Sequence, residues 1–202
     1  LPKDNVDFAA MIGSRICHDL ISPIGAIMNG LEMMHLSEVP PSPEIDLIDE
    51  CATHASARIR FFRLAYGETN TDYSISGTEI RDILDAMTLN GRVSYDWQVN
   101  GDVKRHEARI AFLGLQCLEA VLPRGGRITV KRPHTGIWQL VAEGHNMNMS
   151  ADLAGMLRAG PKADALCAAN VHFAMLSGVL RGAGRKPELE GTADTGTVTL
   201  RF

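Results

Sequence analysis

From Ala9 to Met34 the apolar positions recur every three or four residues. Advancing about 100° per residue from Leu20 puts Ala9, Ile12, Ile16, Ile24, Ile27, Leu31 and Met34 on one stripe. This spacing predicts a long amphipathic helix with a bundle-type seam. A proline-rich turn, "LSEVPPSP", follows. A second helix then starts with Ser42 as its cap and Pro43 in the first helical position. Its stripe is Ile45, Ile48, Ala52, Ala55, Ile59, Phe62 and Tyr66. Its acids lie early and its arginines late, as the helix dipole favours. A two-helix hairpin cannot bury both stripes by itself. A second copy supplies the missing surface, so residues 1–68 are expected to form a dimeric four-helix bundle. The alternative is that the hairpin packs on the rest of its own chain.

Beyond a polar joint, residues 72–202 mix helices and strands. Ser76 and Glu79 make a capping box for a helix to about Leu89. Val93, Tyr95, Trp97 and Val99 alternate as a strand. Residues 104–122 read as a helix, and "GGRITVKR" and "IWQLVAEG" as strands joined around "PHTG". Ser150 opens a short helix, residues 163–182 a longer one, and "GTVTLRF" closes the chain as a strand. The expected class is α+β: a helical hairpin followed by an α/β sandwich with helices on one face of a sheet.

Composition narrows the functions. A formal charge of −4 and only 5% aromatic residues argue against a nucleic-acid binder. No apolar run approaches the ~18 residues that span a bilayer. The start, "LPKDNVDF", lacks the layout of a signal peptide. The four cysteines are far apart with no CxxC pair, which reads as reduced thiols in a cytoplasmic protein. The histidines show no HxxxH spacing, so no metal site is expected.

One histidine stands out. His18 lies roughly 160° from Leu20 on the wheel and faces outward with Ser14, Ser22, Gly25 and Asn29. Pro23 cannot donate to the Asp19 carbonyl, so a loosened turn is expected just after it. One imidazole nitrogen can attack phosphorus while the other keeps its proton. Asp19 is the adjacent carboxylate that could orient the ring, although neighbouring helical residues diverge. The plain alternative is a surface histidine beside a surface acid. Cys17 lies nearer the stripe, which disfavours a cysteine nucleophile.

The string His18-Asp19-Leu20-Ile21-Ser22-Pro23-Ile24 resembles the H-box of sensor histidine kinases, and "LPRGGRITV" resembles a passage of their ATP-binding domain. The departures matter. Glu119 stands where that family carries a metal-holding asparagine. "HNMNMS" replaces its adenine-binding DxGxG, and "DALCAANVHFAML" replaces its glycine-rich loop. A phosphate cradle needs glycines and free amides, so no ATP is expected to bind. The combination resembles the ChpT-type histidine phosphotransferases, in which a kinase-like hairpin dimer joins a degenerate ATP-binding-like domain.

That resemblance implies a homodimer without cofactor or metal of its own. His18 would accept a phosphoryl group from the receiver domain of a hybrid histidine kinase and pass it to a response regulator, with Mg²⁺ on the receiver. Asp19 is the expected orienter, and Ser22 belongs to the same box. Because the hairpin turns near residues 39–40, His18 is expected level with Phe61. A receiver helix would then lie on Ser22, Ala26 and Asn29 from one helix and Thr53, His54, Ala57 and Phe61 from the other. Ala57 and Phe61 are apolar where the stripe predicts exposure, and packing on the second domain is the alternative for Phe61. Met147 and Met149 are expected as packing or partner contacts, and Arg181 and Arg185 as a solvated edge. Two other functions compete: a non-catalytic dimeric adaptor or inhibitor, and an ATP-dependent histidine kinase.

Overall fold

The computed structural model describes residues 3–37, 40–67, 73–89, 91–133, 136–148, 150–160, 166–192 and 196–202. The first helix, α1, runs Lys3–Leu36 and stays helical through Pro23. The expected loosening is therefore no break: the proline removes one hydrogen bond, to the Asp19 carbonyl, without ending the helix. The second, α2, covers Pro43–Tyr66, and the Ser42 hydroxyl accepts from the Ile45 N–H at 3.3 Å as the cap pattern requires.

The remainder alternates strands and helices. The short strands β1 (Ser74–Ile75) and β3 (Val103–Lys104) pair antiparallel. Between them come α3 (Gly77–Leu89), where Ser76 accepts from the Glu79 N–H at 3.0 Å, and β2 (Val93–Trp97). Then follow α4 (Arg105–Val121), β4 (Gly126–Lys131), β5 (Gln139–Glu143), α5 (Ala151–Ala159), α6 (Val171–Gly182), β6 (Glu188–Thr192) and β7 (Thr197–Arg201). The five-stranded sheet has the order β2-β4-β5-β7-β6, and only β2 and β4 run parallel. Helix α4 makes the crossover between them and lies close on the sheet. A side chain at Gly114 would come within 2.9 Å of a Leu140 methyl carbon, so the approach requires glycine.

Besides the short β1 and β3, which the sequence reading did not include, two elements differ from it. Strand β6, "ELEGT", escaped it because a charged edge strand carries no alternating apolar signal. Helix α6 starts at Val171, not near 163. Residues 168–170 form a turn, in which the Asn170 side chain accepts from the Cys167 N–H at 2.9 Å. Residues 161–165, Met149 and the joint at 68–72 lie outside the described residues.

Helix α2 has two apolar faces, which changes the domain picture. One carries the buried Ala52 and Ile59, which lie outside the core of the sheet unit. The other row, Ala57, Phe61, Leu64 and Ala65, enters the same core as Ile80, Leu84 and Phe112. Phe61 is 0% exposed, with its ring 4.8 Å from that of Phe112. Ala57 and Phe61 are thus not open to a partner, and the second row of α2 is a wall of the sheet unit. Polar links reinforce this packing. Arg58 donates to both Glu119 oxygens at 3.0 and 3.3 Å, and the Tyr66 hydroxyl donates to Gln116. Burial pushes the Tyr66 phenol up to about 12, so it remains a donor at neutral pH.

The α1 stripe has the opposite fate. Ile12, Ile16, Leu20, Ile27 and Met34 remain exposed on the protomer, Ile16 at 53% and Leu20 at 47%. Arg185 is no solvated edge. It grips Glu107 at the start of α4 with contacts of 2.6 and 3.1 Å, and the Trp138 indole adds a third at 2.6 Å. Arg181 is exposed. Met147 is buried in the core, as packing. Among the described residues no helix is long and apolar enough to cross a membrane.

Candidate functional site

His18 projects from the outer side of α1 with its side chain 81% exposed. Its Nδ1 lies 3.2 Å from Asp19 Oδ1. The adjacent carboxylate therefore reaches the ring, although the helix spreads the two Cβ atoms apart. Arg15, one turn earlier, holds the other oxygen, its Nε donating to Asp19 Oδ2 at 2.9 Å. Hydrogen bonding to His18, together with the Arg15 charge and hydrogen bond, keeps the Asp19 carboxyl below its ordinary value. An ionised carboxylate only accepts, so the proton belongs on Nδ1. That leaves Nε2 as the ring nitrogen not engaged by Asp19.

The hairpin register is set by Gly13, whose added Cβ would sit 3.0 Å from Tyr66 Cβ. Equal steps along the antiparallel helices from that contact bring His18 level with Phe61 and Ala26 level with Thr53. The level matches the sequence reading, while the facing of Phe61 does not. Ser22, Ala26 and Asn29 are exposed on α1, and Thr53 is half-buried on α2. His54 turns elsewhere. With Arg58, Met87, Arg92, Tyr95 and Glu119 it lines a cavity of about 490 Å³ between α2 and the sheet unit. Of the seven expected docking residues, Ala57 and Phe61 are lost to the core.

Cys17, beside the histidine, is buried, and burial raises its thiol pKa, so it stays protonated and unreactive. Among the described residues no group of three or more His, Cys, Asp or Glu side chains could hold a metal ion. Glu119, which the sequence reading sets at the place of the kinases' asparagine, is engaged by Arg58. Two features were overlooked in the sequence. Arg15 carried a readable signal, four residues before an acid on one helix face. Arg63 and Arg105 carried none, because they meet only through the tertiary fold, where Arg105 Nη2 donates to the Arg63 carbonyl at 2.7 Å.

The structure thus presents an outward histidine beside a carboxylate, on a helical hairpin fused to a helix-on-sheet unit. Residues 77–195 match the histidine phosphotransferase C-terminal domain family, and the chain belongs to that family. It is similar to the protein phosphotransferase ChpT of Brucella abortus (strain 2308), with 30% identity over 128 residues. That alignment covers 62% of this chain and 61% of the relative, so the match spans less than two thirds of the curated protein. The 1.7 Å structure of a bacterial phosphotransferase superposes on 100% of this chain and 97% of its own with a TM-score of 0.68. Its sequence identity is 21%, so the likeness establishes a shared fold.

Proposed function

We propose that this chain relays phosphoryl groups between proteins through His18. It accepts them from an aspartyl phosphate on the receiver domain of a hybrid histidine kinase and delivers them to the aspartate of a response regulator. The observation that carries this reading is the exposed Nε2 whose partner nitrogen is held by Asp19. Attack by Nε2 forms an N–P bond as the P–O bond of the acyl phosphate breaks, and the leaving aspartate keeps the electron pair. The ring becomes cationic while its Nδ1 proton stays in place, and the Asp19 carboxylate stabilises that charge. Transfer onward is the reverse reaction on a second carboxylate. The transition state is loose, so positioning and charge neutralisation do most of the work. Mg²⁺ belongs to the receiver.

Three observations support a relay without ATP in a dimer. Glu119 is tied to Arg58. The segment after β5 is fastened to the end of α4 by the Asn148 N–H donating to the Val121 carbonyl at 2.9 Å, with Met147 buried beside it. The α1 stripe offers a second copy its apolar seam. The four cysteines are unpaired, which suits a cytoplasmic setting.

The test is phosphotransfer profiling against purified phosphorylated receiver domains. The wild-type chain is expected to take label from at least one of them, and His18→Ala to take none while still folding. Label on the alanine variant would refute the relay. Stabilisation by Mg-ATP in a thermal-shift assay would restore the kinase reading.

A further inference from the structure

A groove of about 350 Å³ opens where α1, α2 and the sheet unit meet, and Ser14, Arg63, Tyr73, Glu79 and Arg105 are among its walls. Ser14 precedes His18 by four residues, so the two sit on one flank of α1 about one turn apart. Arg63 comes from α2, Tyr73 from the approach to β1, Glu79 from α3, and Arg105 from the start of α4. The groove therefore joins the histidine helix to the second unit.

Its charge is unbalanced. Several other arginines lie against acids: Arg15 on Asp19, Arg58 on Glu119, Arg185 on Glu107, Arg201 on Glu190. Among the described residues neither Arg63 nor Arg105 has a carboxylate within ion-pair distance. Burial first, and then the charge of Arg63, lower the Arg105 pKa, while Glu79 opposes this from farther off. The partly desolvated Arg105 guanidinium is fixed on the Arg63 carbonyl, where the Arg63 charge disfavours it in the free protein. An anionic group between them relieves both costs. The chain carries more acids than bases, so the missing counter-charge is a local feature.

We infer that this groove is the acid-recognition half of the docking surface, and that it seats a surface carboxylate of the receiver that exchanges phosphoryl with His18. The inference rests on the relay reading. A protein that holds Mg²⁺ beside an aspartyl phosphate does so with carboxylates, so the face it brings to His18 is acidic. Arg63 is the exposed anchor, Arg105 supports it from the second unit, and Tyr73 supplies an apolar rim. Recognition is then shared between the hairpin and the sheet unit.

The test uses the full chain and whichever phosphorylated receiver labels wild-type protein in the profiling experiment. Arg63→Glu is expected to raise KM for that receiver about tenfold at low salt and to flatten its dependence on ionic strength. Glu79→Gln removes the competing carboxylate and is expected to lower KM. If Arg63→Glu lowers the melting temperature, Arg63→Ala replaces it under the same criterion. A KM and salt slope equal to wild type in the Arg63 variant overturn the groove assignment while leaving the relay intact. A wild-type chain that no receiver labels fails the relay reading itself.

Discussion

Removing the Phe61 ring tests whether the hairpin and the sheet unit are one body. The ring is fully enclosed, 4.8 Å from Phe112 and 6.1 Å from Phe62 by centroid. Phe→Ala at such a site leaves a cavity that its neighbours fill only partly and costs about 3–5 kcal/mol. Taking about 4 kcal/mol and about 2–4 °C per kcal/mol at this chain length, Tm falls by roughly 8–16 °C. The assay is denaturant unfolding at fixed protein concentration, followed by far-UV circular dichroism and by tryptophan fluorescence. The tryptophans, Trp97 and Trp138, both report from the sheet unit. Half of α2 packs in their core, so the two signals should move together in wild type and shift together in Phe61→Ala. A residue on an open docking face would change stability by less than about 0.5 kcal/mol. A destabilisation that small, or helix signal lost before fluorescence, would refute the shared core.

Three further outcomes follow from the geometry. Asp19→Asn replaces an acceptor-only carboxylate with a neutral amide that can also present a donor to Nδ1, so the tautomer is no longer fixed and phosphoryl uptake should slow by about a hundredfold. The wild-type advantage should vanish only as pH drops through the depressed Asp19 value, below the ordinary carboxylate range, whereas the asparagine variant shows no such step in a rate–pH profile. For Glu107, burial alone raises the carboxyl. Hydrogen bonds from Arg185 and Trp138, with the Arg185 and Arg132 charges, outweigh that and hold it low. Its contribution is present above the unfolded value of about 4.3 and is lost as pH falls through the lower folded one. Glu107→Gln should therefore cost about 1.5–3 kcal/mol at pH 7 and converge on wild type in acid, read by urea unfolding at stepped pH. In the proposed dimer, Leu20→Glu should weaken self-association at least about a hundredfold in sedimentation, since each buried leucine is worth about 1.5–3 kcal/mol and the dimer would lose two.

Local chemistry in the sequence was enough to locate most elements. The Ser42 and Ser76 caps, the alternation from Val93 and the outward angle of His18 all depend on neighbours within a few residues. What stayed hidden depends on residues far apart. The row Ala57, Phe61, Leu64 and Ala65 was visible as apolar, but one helix wheel cannot say whether a second stripe meets a partner or its own chain. Strand β6 is defined by the edge it borders, not by its composition. Arg63 and Arg105 are 42 residues apart and meet through a backbone carbonyl, which no side-chain pattern foretells. Arg185 shows the same limit, because its acid lies 78 residues upstream.

The joint between α2 and α4 has a consequence for timing. A kinase that charges its own histidine must carry a nucleotide-bearing part of itself to that residue and withdraw it again. Here the Phe61 side of α2 and the Arg58–Glu119 pair fasten the histidine hairpin to its neighbour at several points. In a relay built this way nothing inside the molecule has to swing. In the proposed relay the pace would be set by how fast one partner leaves His18 and the next arrives, and so by the concentrations of those partners.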